Sequence, residues 1–288
     1  MMNSKQPTTK SFDAIYADYS NPNGRVMITA HRGNWRQAPE NSVLAIQCSI
    51  DAGVDVVEVD VQRTKDGRLV LMHDDTVDRM TDGSGRISEL TFDAIRALQL
   101  KEGQGGEDTA ATAALIPTLH EVMLLAKDKV MVNLDKCWHI REDVYQVLVN
   151  TGTVKQGLFK STAGVEEVQE FLSGKSERPE FMQLINGSNA HLLDQTDEII
   201  TRVQPKAFEL NFAKDDSPVI SDVTLRRLKG KCRIWVNTMF DADCGGHTDA
   251  VSLTNPKLGW DWHLGRGVNM IQTDSPKELY AHLNPGSK

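Results

Sequence analysis

The chain predicts an α/β fold, specifically a (β/α)8 TIM barrel with a small insertion after the second strand and its hairpin. Three observations carry this. Short β-rich apolar runs alternate with stretches of helical spacing along the whole chain, the pattern of βαβ units and a mostly parallel sheet. Nine such runs are present, and connection length removes one from the parallel set. The remaining eight strands with intervening helices, in 288 residues, match what a closed eightfold barrel requires.

The runs fall at 26–30, 54–60, 68–72, 130–135, 157–160, 181–185, 206–211, 233–237 and 268–272. Helical spacing occupies 41–52, 118–127, 141–150, 164–172, 191–203, 222–229 and 276–283. Only Q-R-T-K-D-G joins the second run to the third, whereas a parallel crossover needs about a dozen residues. Asp66-Gly67 is a hairpin signal, so 68–72 folds back antiparallel. The whole chain, 1–288, reads as one domain, with an N-terminal extension over 1–24 and an insertion over 74–115. That insertion, rich in Gly and Ala around K-E-G-Q-G-G, reads as a flexible connector; its glycines do not open a helix after a strand, as a phosphate-cradling loop would.

Composition narrows the function. There are 32 Lys and Arg against 40 Asp and Glu, a formal charge of −8, with 40% apolar and 25% charged residues. An acidic chain lacks the basic face of a general nucleic-acid binder and repels anionic membrane surfaces. No apolar run approaches the roughly 20 residues of a membrane span. Cys48, Cys137, Cys232 and Cys244 are scattered, so they read as packing thiols rather than a disulfide or zinc framework. The polar start M-M-N-S-K-Q-P-T-T-K is unlike a secretory leader. The chain is expected to be cytoplasmic as it stands, and periplasmic or secreted if a leader has been removed.

Barrel active sites form where strands end and βα loops begin. The polar residues there are His31, Arg32, Glu58, Asp60, His73, Asp135 and Lys136. In V-E-V-D-V the valines take one face and Glu58 and Asp60 the other. On an outer antiparallel strand that is ordinary amphipathicity. On a barrel strand the acids point inward, where like charges about 4 Å apart repel by roughly 4 kcal/mol at an effective dielectric near 20. Asp135, ending V-M-V-N-L-D, adds a third carboxylate. Three hard oxygen donors without thiolate or clustered His point to one divalent cation, Mg²⁺ or Ca²⁺.

His31 and His73 each end a β run and precede a charged residue. A lone His is more often a satisfied structural residue, but two at one mouth suit a general acid and base. Arg32 offers a fork for phosphate oxygens; an ion pair with Glu40 is the structural alternative, and the two are compatible. Trp35, Trp138, Trp235, Trp260 and Trp262 lie in or after strand ends. Loop packing is the default for each. The loop over 244–266, with G-G-H and W-D-W-H, is expected to shape specificity.

The segments A-H-R-G and P-E-N (30–33, 39–41), E-V-D (58–60), T-K-D-G (64–67), H-D (73–74), I-P-T-L-H-E-V (116–122) and Q-T-D-S-P (272–276) resemble, in order and nearly end to end, the glycerophosphodiester phosphodiesterase family. That family is a barrel related to phosphatidylinositol-specific phospholipase C. The resemblance implies cleavage of a glycerophosphodiester to an alcohol and a glycerol phosphate. It implies Glu58, Asp60 and Asp135 as metal ligands, His31 and His73 as acid and base, and Arg32 and Lys136 on the phosphate. Attack by the substrate's own glycerol hydroxyl would give a cyclic phosphate that water opens. Trp235 matches a family aromatic position and, with Asn237, is expected to contact substrate. The family's E-x-K is here N-L-D-K (133–136), which places Lys136 beside the acid and leaves Asn133 as an alternative third ligand. Two other readings are a related phosphodiesterase acting on glycerophosphoinositol or a lysophospholipid, and a non-catalytic sugar-phosphate-binding barrel.

Overall fold

The computed structural model describes residues 10–286. Among the described residues eleven strands appear: β1 (Met27–Ala30), β2 (Val56–Arg63), β3 (Leu69–Leu71), β4 (Gln99–Lys101), β5 (Ala111–Leu115), β6 (Met131–Asp135), β7 (Gly157–Ser161), β8 (Glu180–Ile185), β9 (Ala207–Leu210), β10 (Arg233–Asn237) and β11 (Met270–Thr273). Nine form one sheet in the order β1-β11-β10-β9-β8-β7-β6-β2-β3, and β1 also pairs with β2. The expected hairpin is present: β3 runs antiparallel to β2, with Val61 opposite Leu71. Without it, eight strands remain in the closed order of a TIM barrel.

The described residues divide into two compact units, one of 30–159 with 10–12, the other of 13–29 with 160–286. In the first, β2 is buried along both faces through Val61, so its valines pack outward while Glu58 and Asp60 turn inward. Parallel β6 lies beside it with Asn133 level with Glu58 and Asp135 level with Asp60. Helix Val43–Asp51 starts at Ser42, whose Oγ accepts from Ala45 N at 3.0 Å, a standard N-cap. Helix Leu119–Ala126 opens on a capping box of Thr118 and Glu121. The segment I-P-T-L-H-E-V therefore does scaffold work.

The second unit holds β8 to β11 in parallel register. The helical spacing at 191–203 resolves into a 3-10 segment, Gly187–Gln195, a short α-turn and a π segment, Ile199–Val203, ending at Gln204 with φ 55°. Within the expected N-terminal extension, helix Phe12–Tyr19 buries Ile15 and Tyr19; residues 1–9 lie outside the described residues. Among the described residues no helix is long and apolar enough to cross a membrane.

The insertion corrects one expectation. Residues 74–115 are an ordered element rather than a flexible connector, with the antiparallel β4–β5 hairpin and a short helix, Phe92–Arg96. Val77, Met80, Ile87, Ile95 and Leu100 pack with Val70, Met72 and Ile116 in a small core. These residues come singly from separate short elements, Ile87 from a 3-10 turn, Ile95 from the helix and Leu100 from β4, so no periodicity reveals them in sequence.

Candidate active site

The H-R-G segment leaves β1 in a tight turn. Arg32 has φ 53° and Gly33 φ 76°, and a side chain on Gly33 would meet Ala45 backbone carbon at 2.9 Å. Glycine is needed there because the turn lies against the helix. In this conformation the Arg32 backbone N–H donates to Glu58 Oε2 at 2.8 Å. Asn41, just before the helix cap, is also left-handed at φ 57°. Its amide brackets Asp60: Nδ2 donates to Asp60 Oδ2 at 2.8 Å, and Oδ1 accepts from Asp60 N at 3.0 Å. Lys136, after Asp135, has φ 57° and donates its backbone N–H to Asp135 Oδ1 at 2.6 Å. Non-glycine residues in this region each cost about 1–3 kcal/mol, a strain typical of functional sites.

The strained turns assemble a carboxylate cluster. One oxygen each from Glu58, Asp60 and Asp135 lies within 4.8 Å of the others. Glu58 and Asp60 are buried and Asp135 half-buried. Burial and the neighbouring charge of Asp135 push the Asp60 carboxyl up, while Arg32, His73 and Asn41 oppose the shift. This is chemistry suited to a hard divalent ion, which needs several oxygen donors and offsets their repulsion. Asn133, level with Glu58, is fully buried.

The linkage has a testable sign. Asp60's carboxyl in the chelated, folded protein titrates above its unfolded value, so the folded state holds the extra proton and stability falls as pH rises through that raised pKa. Asp135→Asn keeps the acceptor for Lys136 N–H and removes one charge from Asp60. Chelated Asp135→Asn protein should therefore be more stable than chelated wild type at pH 7, by about 1–4 kcal/mol, the Coulomb scale for charges a few ångströms apart. Denaturant melts in EDTA at pH 5 and pH 7 check this; equal or lower stability of the variant at pH 7 overturns it.

Two arginines share Glu40. Arg32 Nη1 is 3.0 Å from Glu40 Oε2 and its Nε is 3.5 Å from Asp60 Oδ2; Arg79 Nη2 is 2.6 Å from Glu40 Oε1. Arg32 thus makes the ion pair expected for it. Its buried Nε donates no hydrogen bond among the described residues, which leaves a donor for an anionic oxygen. Arg79 also binds Asp74 at 2.7 Å, and Asp74 Oδ1 stands 2.7 Å from His73 Nδ1. Hydrogen bonds from Arg79 and His73 hold the Asp74 carboxyl well below the usual range. It stays ionised at working pH, and its contribution fades only as pH falls through that depressed value. A carboxylate at Nδ1 favours the tautomer protonated there and leaves Nε2 for chemistry. His31 is buried at the end of β1, His73 is half-buried, and the Lys136 side chain is exposed.

Asn41, Asp74 and Arg79 were not singled out by sequence reasoning. Asn41 and Asp74 lie inside the quoted P-E-N and H-D segments, whereas Arg79 carries no signal because it belongs to the insertion. Trp235 and Asn237 belong to the other unit. Trp235 is fully buried, so its ring faces no solvent, and its indole N–H donates to Asn237 Oδ1 at 2.8 Å. Trp260 is likewise buried, bound to Asp249 Oδ1 at 2.9 Å, while Trp138 packs beneath Arg141.

A family model described as the glycerophosphoryl diester phosphodiesterase family matches residues 31–207, and a second, described as a domain of unknown function, matches 181–283. A glycerophosphodiester phosphodiesterase of Caldanaerobacter subterraneus is 41% identical over 112 residues, 38% of this chain and 45% of that protein. Human glycerophosphodiester phosphodiesterase 1 is 51% identical over 77 residues, 27% of this chain and 23% of its own. The matched stretch thus spans less than half of these relatives. Among solved structures, a glycerophosphoryl diester phosphodiesterase from Parabacteroides distasonis has a TM-score of 0.72 at 20% identity, covering 96% of this chain and 93% of its own. An Oleispira antarctica phosphodiesterase in complex with the product sn-glycerol-3-phosphate has a TM-score of 0.67 at 18% identity, covering 90% and 97%. At these identities the structures speak to the fold.

Proposed function

Because the chain belongs to the glycerophosphoryl diester phosphodiesterase family, matched over more than half its length, we propose that it hydrolyses glycerophosphodiesters to an alcohol and a glycerol phosphate. The observation that carries the reading is the convergence of Glu58, Asp60 and Asp135 oxygens within 4.8 Å. These three would hold one Mg²⁺ or Ca²⁺, with the Asp60 carboxylate steadied by Asn41. A divalent ion so bound would reverse the local negative charge and polarise a phosphoryl oxygen.

The rest is work for the chain's own side chains. Arg32, fixed by Glu40, offers its buried Nε to a non-bridging phosphate oxygen, and Lys136 adds positive charge at the exposed edge. His73, with Nδ1 against Asp74, uses Nε2 to move one proton, and His31 moves the other. One imidazole takes the proton of the substrate's neighbouring glycerol hydroxyl as that oxygen attacks phosphorus. The other gives a proton to the departing alkoxide. The first products are a cyclic phosphate and the alcohol. Water then opens the ring with the acid and base roles exchanged. A tethered hydroxyl has the high effective molarity of an intramolecular nucleophile.

The test is release of glycerol phosphate from glycerophosphocholine by protein loaded with Mg²⁺ or Ca²⁺, with and without EDTA. The expected result is release that stops on chelation and returns when the cation is restored. No release from glycerophosphocholine, glycerophosphoethanolamine or glycerophosphoinositol with either cation overturns the reading.

A further inference from the structure

The G-Q-G-G stretch of the insertion (103–106) seats Arg79. Gly106 N–H donates to the Arg79 carbonyl at 2.8 Å. Gly105, at φ 67°, passes so close that a side chain there would collide with the same carbonyl oxygen. Lys101 N–H, at the end of β4, donates to the Met80 carbonyl at 2.7 Å, so the residue after Arg79 is fixed as well. The guanidinium held in this way engages all five of its N–H donors. Nε donates to Asp74 Oδ2 at 2.7 Å, and Nη2 to Asp74 Oδ1 at 3.0 Å. Nη2 also donates to Glu40 Oε1 at 2.6 Å. Nη1 donates to the Gln104 carbonyl and to Met80 Sδ. No donor is left over for a substrate.

The bonds from Nη1 tie the insertion to itself, and a purely structural arginine needs no more. The other three bridge two carboxylates, and each of these already holds a second residue. Asp74 Oδ1 stands 2.7 Å from His73 Nδ1, and Glu40 Oε2 accepts from Arg32 Nη1 at 3.0 Å. Glu40 is buried and makes a fixed anchor. The Asp74 side chain is 30% exposed, so alone it could turn its carboxylate to water. A carboxylate sets the tautomer and tilt of an imidazole only while its own plane is held. The two-point grip of Arg79 holds that plane and leaves Oδ1 at His73 Nδ1. Only a planar fork can span both carboxylates; an ammonium is a point donor.

Resting on the phosphodiesterase reading above, we propose that Arg79 is a positioning residue for His73, carrying the fixed position of Glu40 through Asp74 to the imidazole. The insertion is then a working part of the active site rather than an addition to the barrel. The effect runs to His73 and not to the phosphate grip, because Arg32 uses the other oxygen of Glu40.

The experiment compares kcat and KM for glycerophosphocholine in wild type, Arg79→Lys and Arg79→Ala, each alone and combined with His73→Ala. Arg79→Lys keeps the charge and loses the fork. The expected kcat falls about tenfold in Arg79→Lys and about a hundredfold in Arg79→Ala, the cost of a catalytic group misplaced by about 1 Å, with KM little changed. In the His73→Ala background neither substitution should lower kcat further, since residues acting as a unit are not additive. Arg96→Ala is the control. Arg96 binds Glu121 and the Ile116 carbonyl, and so ties the insertion down through bonds that involve neither Asp74 nor Glu40; its kcat should stay at the wild-type value. Wild-type kcat in Arg79→Lys, a further loss on top of His73→Ala, or an equal loss in Arg96→Ala overturns the proposal. A second readout needs no turnover. The nitrogen chemical shifts of the His73 ring, assigned with His73→Ala, are recorded by NMR at a pH where the ring is neutral. Wild type is expected as the tautomer protonated at Nδ1, and Arg79→Lys as a mixture of the two. That result supports the brace even where no diester is cleaved and the phosphodiesterase reading falls. The same tautomer population in both proteins overturns it.

Discussion

Glu58→Gln protein should lose its response to Mg²⁺ and Ca²⁺ and at least a thousandfold of its phosphodiesterase activity. The replacement amide is isosteric and keeps an acceptor for the Arg32 backbone N–H that now reaches Glu58 Oε2, so the fold should survive. What disappears is one of three converging charges. Cation binding to the folded state stabilises by RT ln(1 + [L]/Kd), about 2.7 kcal/mol at a hundredfold excess over Kd. For a chain this size, each kcal/mol raises Tm by roughly 2–4 °C. Wild type should therefore melt several degrees higher with cation than in EDTA, and Glu58→Gln should melt at one temperature in both. Retention of the full cation-induced shift by the variant would show that the ion binds elsewhere. Asp60→Asn is expected to behave alike, since Asp60 shares its burial and its place in the cluster.

Alanine at His31 or at His73 should lower kcat by about 10²–10⁴-fold, the usual worth of a positioned general acid or base. Unlike Glu58→Gln, these variants should keep the cation-induced rise in Tm, because neither imidazole is one of the converging oxygens. The two also separate chemically. A leaving group that needs no protonation, such as p-nitrophenolate, should recover most of the loss in whichever variant lacks the acid, and none in the variant lacking the base. Steady-state rates on glycerophosphocholine and on a glycerophospho-p-nitrophenyl diester check this. Near wild-type kcat in both variants on both substrates would remove the imidazoles from the reaction.

Much of this site is legible before any coordinates, for local reasons. Strand alternation alone puts Glu58 and Asp60 on one face, and the helical spacing over 41–52 marks the helix found at Val43–Asp51. The Asp66-Gly67 turn sets the β2–β3 hairpin. The H-D and P-E-N segments bring Asp74 and Asn41 along, though not their duties. The insertion is opaque because its core is assembled from isolated residues with no common period, and with it goes Arg79, whose partners Glu40 and Asp74 lie 39 and 5 residues away. The burial of Trp235 is equally hidden: an aromatic near a strand end reads as available, and only neighbouring strands decide that it is sealed.

The amino-acid sequence by itself determined the barrel, its antiparallel exception and the residue types of the carboxylate and imidazole constellation, because periodicity, connection length and turn chemistry act over a few residues. Tertiary structure alone decided that Asp60 and Asp135 share a level and that Arg79 reaches Glu40, 39 residues away. Those are matters of register and long-range contact, set by how whole strands slide and pack, and no local pattern encodes them.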